Sequence, residues 1–263
     1  MKVMGLTKND LTMLWGIVKM NLFDRYMGLG LGLFWAVINP LLLLGIYTFC
    51  FGFVFKAKVP GADTTLSYTA WFLSGFIPYL AISDGLMNST SAVERYANLV
   101  KNVVFKLEYL PIAGTLVAAV PFGVGVIFLW ILLLIEGNYP TWHTILLMPV
   151  IFLEFAFLAG IGFFLSATNV FIKDVSQAIT TITMLIVFGT PIFFPLNILP
   201  KVVQKIEFFN PFYQIVQPYR DILVNHCMPD WKGMLYLVCL TITIDWGGFS
   251  YFRRLKGYFA AAL

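Results

Sequence analysis

Residues 188–220 read FGTPIFFPLNILPKVVQKIEFFNPFYQIVQPYR. The stretch opens apolar enough for a membrane interior, yet Pro191, Pro195, Pro200, Pro211 and Pro218 interrupt it. Each proline removes a backbone donor and resists a continuous helix, so no straight crossing fits. Between the prolines the pattern becomes amphipathic. Leu199, Val202, Val203 and Ile206 share one helical face, with Lys201, Gln204 and Lys205 on the other. After Asn210-Pro211 the same alternation returns, with Phe212, Ile215, Val216 and Tyr219 opposite Gln214, Gln217 and Asp221. The pattern predicts two short helices over 196–224 that dip into one membrane face without crossing. Broken backbone at membrane depth persists only where protein or a water-filled path surrounds it, which makes this stretch a candidate lid over a conduit. Two interfacial helices in an external loop would carry the same pattern.

Composition agrees with a membrane setting. The chain has 263 residues, 60% hydrophobic and 11% charged, with a mean hydropathy of +0.85. Soluble domains are about one quarter charged. Cys50, Cys227 and Cys239 are scattered and offer neither a disulfide framework nor a metal pattern, so they read as packing residues. The first ten residues lack the charged start, apolar core and small-residue site of a cleaved signal peptide, so the membrane spans are expected to direct their own insertion.

Outward from residues 188–220, charge-poor runs at 29–55, 64–86, 110–135, 144–168, 175–195 and 233–252 predict six crossings. Ahead of them, Thr7 to Asp10 has capping-box spacing, and Leu11, Leu14, Trp15, Val18 and Leu22 form a stripe facing away from Lys8, Thr12 and Lys19. This predicts an amphipathic helix in the interface plane over 7–27, carrying Trp15, Lys19, Arg25 and Tyr26. The expected fold class is all-α: a polytopic membrane protein with six transmembrane helices, an N-terminal interface helix and two short re-entrant periplasmic helices between the fifth and sixth spans. With the N-terminus inside, eleven of the seventeen Lys and Arg residues fall on the inner side, which places both termini in the cytoplasm. The net charge of +4 is mostly this orientation signal and shows no basic tract for nucleic acid.

One inner loop has structure of its own. Ser91 and Glu94 have capping-box spacing, and Arg95, Tyr96, Asn98 and Lys101 follow at helical positions, predicting a short polar helix over 91–104. Such a helix serves either as a handle for a soluble partner or as a solvated loop.

The sequence carries little catalytic chemistry. No glycine-rich phosphate loop with a trailing Lys-Ser/Thr is present, so any ATP is handled elsewhere, and no cofactor is expected on this chain. Gly28 and Gly32 read as a close helix contact. His143 and His226 stand alone, which argues against a metal. Glu154 and Asp245, inside predicted spans, mark a polar pathway or a structural hydrogen bond, and Asp84 reads as simply hydrated near the inner interface. Aromatic residues make up 17% of the chain. Phe34, Trp35, Tyr47, Phe49 and Phe51, with Phe188, Phe193 and Phe194, could line a path on which sugar rings slide, ring face against ring face. Lipid-facing aromatics are the alternative.

These features converge on a family. The order of Arg25-Tyr26, Leu31-Gly32, Trp35 and Pro40, then Lys101 to Phe105 and Leu110-Pro111, resembles the membrane subunit of ABC-2 type polysaccharide exporters. The likeness continues through Asn169, Phe171 and Asp174, then Thr190-Pro191-Ile192, Asn210-Pro211 and Tyr219-Arg220. Lys106 and Lys173 depart from it, standing where the family often has proline and arginine. The resemblance implies export of a lipid-linked polysaccharide across the bacterial inner membrane, foremost undecaprenyl-linked O-antigen, with capsule or teichoic acid as the alternative. It implies a homodimer with two copies of a cytoplasmic ABC ATPase, which bind the ATP and Mg. It also implies that the interface helix and Glu94, Arg95, Tyr96, Asn98 and Lys101 contact the ATPase. By the same resemblance the two helices between Leu196 and Leu223 look like a periplasmic gate, and Pro191, Phe193, Phe194, Tyr219 and Arg220 are expected among the channel and gate residues. A membrane glycan-modifying enzyme would need an acid or His cluster that the sequence lacks, and a drug or small-lipid exporter of the same superfamily often has a larger external region.

Overall fold

The computed structural model of the chain describes residues 8–55, 65–102 and 105–263. Thr7 of the expected N-terminal cap, Lys56 and Lys58, and residues 103–104 at the end of the inner-loop helix lie outside the described residues. The helices run in the order α1 (Lys8–Tyr26), α2 (Trp35–Phe49), α3 (Thr65–Thr90), α4 (Ala92–Arg95), α5 (Ala97–Asn102), α6 (Tyr109–Val117) and α7 (Ala119–Ile135). They continue with α8 (Leu147–Phe171), α9 (Asp174–Gly189), α10 (Lys201–Glu207), α11 (Pro211–Leu223), α12 (Trp231–Leu255) and α13 (Phe259–Ala262). No strand occurs among the described residues.

Among the described residues five stretches are long and apolar enough to cross a bilayer: Gly32–Val54, Ser67–Thr90, Tyr109–Ile135, Trp142–Phe171 and Trp231–Ala262. α9 is the exception. It has 16 residues, a rise of ~24 Å against a hydrocarbon core of ~30 Å, and so ends short of the span expected over 175–195. The cause is local: Thr190 turns extended (φ −103°, ψ 139°) and Pro191 cannot donate to a further helical turn. α9 nevertheless runs antiparallel along α3. Thr180 lies against Met87, the Tyr79 hydroxyl donates to the Thr183 carbonyl (3.0 Å), and the Tyr68 hydroxyl donates to the Phe193 carbonyl (2.8 Å).

α3 is the hub. It packs on α6, α7, α8, α9 and α11, and 72% of its apolar window is buried, against 11% for Gly32–Val54. The face of that first span therefore needs cover from lipid or from another protein. A core of Phe72, Leu73, Ile77, Ile82, Phe157, Leu158 and Ile215 surrounds α3. A second core joins Ile17 and Val18 of α1, Val93 of α4, Tyr109 of α6, Ala167 of α8, Phe252 of α12 and Phe259 of α13. Both ends of the described chain thus sit at the same end of the bundle.

Four local readings are corrected. Gly28 (φ +83°) and Gly32 (φ +50°) are turn residues between α1 and α2 with open space where a Cβ would be, not a helix contact. Close helix approach occurs instead at Gly114, where a Cβ would lie 2.8 Å from the Ser89 Cα, and at Gly160 and Gly248 between α8 and α12. Ser91 does not cap α4. Its hydroxyl donates back to the Met87 carbonyl (3.2 Å), because α3 reaches Thr90 and leaves Ser91 with helical backbone. Asp84 is not merely hydrated: it accepts from Arg25 at 2.8 Å and from Asn88 at 3.1 Å. α1 also sits rotated from its expected stripe, burying Ile17, Val18 and Asn21 while Leu11 and Trp15 stay exposed.

Candidate functional site

The chain on either side of α10, between α9 and α11, leaves several carbonyls without helical partners, and in a low-dielectric surrounding each orphan is costly. Side chains from distant elements supply the donors. Arg220 of α11 donates to the carbonyls of Pro191 (2.6 Å) and Ile192 (2.8 Å), Tyr68 of α3 to Phe193, Gln214 to Phe208 (2.7 Å), and Tyr236 of α12 to Phe209 (2.9 Å). The two short helices are set by their own signals. Asn210 accepts from the Phe212 N–H at 3.0 Å with Pro211 at the first helical turn, and its amide donates to Thr190 (3.3 Å) and Glu207 (2.8 Å). The break is therefore a defined structure, tied to α3 and α12 through side chains.

Arg220 is the centre of this arrangement. It is 1% exposed, its guanidinium lies 3.9 Å from the Trp71 ring centre, and it fills the space a side chain at Gly75 would take, with Nη2 2.6 Å from the position of a Cβ. Burial pulls its pKa down to about 9, which still leaves it charged at neutral pH. Two charge-assisted bonds at ~1.5–3 kcal/mol each and a desolvated cation–π contact of ~2 kcal/mol offset the several kcal/mol that burial of the ion costs. The neighbouring Tyr219 donates its hydroxyl to Glu154, which is fully buried in α8. Consecutive residues of α11 thus grip two different spans.

At the opposite end, α4 is wired inward. Glu94 accepts from Asn169 of α8 (3.0 Å) and faces Lys173 (3.7 Å), while the Asn169 side-chain Oδ1 accepts the Ser176 N–H in the first turn of α9 (3.0 Å). Arg95 reaches Ser91 (3.0 Å) and, more weakly, Asn21 of α1 (3.4 Å). Tyr96 donates to Asp24 of α1 (2.9 Å), and burial together with that bond holds its phenol well above the ordinary range. Beside them an open polar cleft of about 480 Å³ is lined by Asp24, Arg25, Asp84, Asn88, Arg95 and Thr180. The predicted helix over 91–104 is split at Tyr96 (ψ 31°) into α4 and α5. Of its predicted residues, Asn98 and Lys101 turn to solvent and Tyr96 is buried.

The sequence model of the ABC-2 type transporter family matches residues 12–224. The chain belongs to that family. Over 249 residues, 94% of both chains, it is 24% identical to the O-antigen export system permease protein RfbA of Myxococcus xanthus. The protein of the same description from Klebsiella pneumoniae is 26% identical over 249 residues, 94% of this chain and 93% of the relative. The polysialic acid transport protein KpsM of Escherichia coli is 23% identical over 237 residues, 85% of both chains.

In this ABC-2 chain the aromatic residues divide into two sets. Tyr47, Phe51, Phe72, Phe76 and Phe193 form one packed cluster, with ring centres 4.7 Å apart for Tyr47–Phe76 and 5.3 Å for Phe72–Phe193. Phe34 and Phe49 are exposed, Trp35 is partly so, and Phe188 is exposed but stacks on Phe193 at 5.7 Å. Phe194 has no ring partner among the described residues. Of the interface-helix residues, Trp15 carries Lys19 over its ring (5.8 Å), Arg25 pairs with Asp84, and Tyr26 is buried. Trp71, Asn21 and Asp24 were missed from the sequence. An Asn in an otherwise apolar helical face was the one usable signal, since a polar group there needs a partner.

Proposed function

We propose that this chain is the membrane-embedded permease of an ATP-driven exporter that carries lipid-linked polysaccharide, O-antigen in particular, across the bacterial inner membrane. The observation that carries this reading is similarity along 94% of both chains to O-antigen export permeases, in a bundle with side-chain networks at its two opposite ends. In this reading α9 with the following break makes the sixth crossing, supported by its antiparallel course along α3, and both termini lie in the cytoplasm. The re-entrant pair α10 and α11 forms the outer gate, with Pro191, Phe193, Phe194, Tyr219 and Arg220 at its base. Two copies enclose the conduit, and the sparsely buried face of Gly32–Val54, with Phe34, Trp35 and Phe49, is available for that contact. Phe188 faces the same conduit, while Tyr47 and Phe193 act from the packed aromatic cluster behind it.

Two copies of a cytoplasmic ATPase bind the ATP and Mg. They dock on α1 and α5, where Trp15, Lys19, Asn98 and Lys101 are exposed, and Glu94, Arg95 and Tyr96 carry the push to α8, α3 and α1. The similarity to the polysialic acid transport protein KpsM favours an acidic polysaccharide such as polysialic acid as a second cargo, in line with the capsule alternative. The test is co-expression with the candidate ATPase, followed by ATP turnover with and without lipid-linked O-antigen or capsular glycan. Stimulation by one of them assigns the cargo. A chain that purifies without an ATPase, or as one copy per ATPase pair, overturns the reading.

A further inference from the structure

Beside the close approach of α8 and α12 at Gly160 and Gly248 lies a groove of about 570 Å³, lined by Gly160, Phe164, Trp246, Gly247, Tyr251 and Arg254. Its lining is mostly apolar, Phe164 stacks on Tyr251 at 4.3 Å, and Trp246 is 72% exposed at its edge. One end is basic. Among the described residues Arg254 is exposed and pairs with no carboxylate, and Arg253 beside it, also without a carboxylate partner, lies over the Phe249 ring, 5.6 Å from its centre. Lys256 further on is already held by Glu108 at 2.6 Å. Asp245, the nearest acid along α12, lies about nine residues away, ~13 Å of helix rise.

The placement along the helix matters. Starting from Trp231, a ~30 Å hydrocarbon core takes about 20 residues of helix, which puts Tyr251 at the far boundary and Arg253 and Arg254 at headgroup level. An apolar groove between two spans that ends in unpaired arginines at that depth fits one kind of occupant, because basic sites between spans bind anionic headgroups.

We propose that this groove is a binding site for an anionic glycerophospholipid, with an acyl chain along Gly160, Gly247 and Trp246 and its phosphate on Arg254. The site stands apart from the conduit and rests only on α8 and α12 crossing a bilayer. It holds a structural lipid that seals the open side of the α8–α12 pair.

The test uses the full chain in nanodiscs of equal parts phosphatidylglycerol and phosphatidylcholine, with retained lipid counted by native mass spectrometry after transfer to detergent. The wild-type chain retains phosphatidylglycerol in preference, and Arg254→Gln reduces that preference about five-fold, the contribution of one basic residue at an anionic surface. Gly247→Leu abolishes retention of either lipid, because a Cβ at Gly247 meets nothing within 4 Å and the larger side chain fills the groove without displacing a helix. Lys232→Gln, at the other end of α12, changes nothing. Equal retention of both lipids, or unchanged retention in Gly247→Leu, overturns the proposal. So does displacement of the bound lipid by a polyprenyl diphosphate, which would give the groove to the export substrate, or cross-linking from position 246 to a second copy.

Discussion

The Arg220 guanidinium carbon sits over the Trp71 ring, 3.9 Å from its centre, while its two terminal nitrogens hold the carbonyls of Pro191 and Ile192. One side chain of α11 therefore ties the end of α9 to the central helix α3. Replacing Arg220 with methionine keeps much of the volume but orphans two buried carbonyls at about 1–3 kcal/mol each. The expected loss is ~2–5 kcal/mol of local stability. It is read as faster hydrogen exchange or cysteine labelling across residues 190–200, with exchange in α12 unchanged. Arg220→Lys falls between the two, since an ammonium neither forks to both carbonyls nor stacks flat on an indole. Labelling rates equal to wild type in Arg220→Met would remove Arg220 from the base of the proposed gate.

The Glu94–Asn169 contact predicts a split between charge and geometry. Glu94→Gln retains an oxygen to accept from Asn169 and loses only the solvent-screened pairing with Lys173, whose side chain is 74% exposed. Glu94→Ala leaves Asn169, itself fully buried, without that acceptor. Reconstituted with the partner ATPase, the glutamine variant is expected to export near the wild-type rate. The alanine variant hydrolyses ATP with export reduced severalfold. Equal export by the two variants would remove α4 from the transmission of force.

Lys101 provides the complementary case. It is exposed on α5 and makes no bond with other described residues, so Lys101→Glu is expected to leave folding and insertion intact while weakening co-purification of the ATPase. Pull-down at low and high salt checks this, because a rim charge contributes mainly through screened attraction.

What could be read from the sequence follows the range of the interactions involved. The prolines of residues 188–220 act on their own backbone, so the break and the two short helices were legible there, while the Asn210 cap emerged only with the structure. The contacts that hold the break in place were not, because Trp71, Tyr68 and Tyr236 lie on helices far away in sequence, and nothing local to Arg220 announces a carbonyl clamp. The misread features share the same limit. Ser91 and Glu94 have capping-box spacing, but the real end of α3 decides whether a cap is needed there, and that end is set by packing on α6 and α8. Gly28 and Gly32 have the spacing of a helix contact, while their positive φ values, invisible in sequence, make them turn residues between α1 and α2.

Glu207 predicts a pH dependence confined to the turn between α10 and α11. It is 7% exposed, and burial raises its pKa above the ordinary carboxylate value, against which the bond from Asn210 acts. The folded protein thus holds this proton to higher pH than the unfolded chain does, so this residue's contribution to stability falls as pH rises above about 4.5. Glu207→Gln keeps an oxygen for Asn210 and removes the titration. Thermal unfolding from acid to neutral pH should show the variant equal to wild type at low pH and more stable at neutrality. A wild-type advantage at neutrality would mean that the ionised carboxylate is the favoured form.

The last prediction turns on two adjacent glycines of α12. A Cβ at Gly248 would strike the Gly160 carbonyl oxygen, whereas one at Gly247 meets nothing within 4 Å. Backbone at a helix crossing has no flexible end to move aside, so Gly248→Ala must push α8 and α12 apart, an overpacking cost of about 1–3 kcal/mol. Gly247→Ala adds a methyl to open space and, by replacing glycine in a helix interior, gains up to ~1 kcal/mol. Melting of the two variants in the same detergent should therefore move in opposite directions. A Gly248→Ala chain as stable as wild type would show that α8 and α12 do not approach closely at this point.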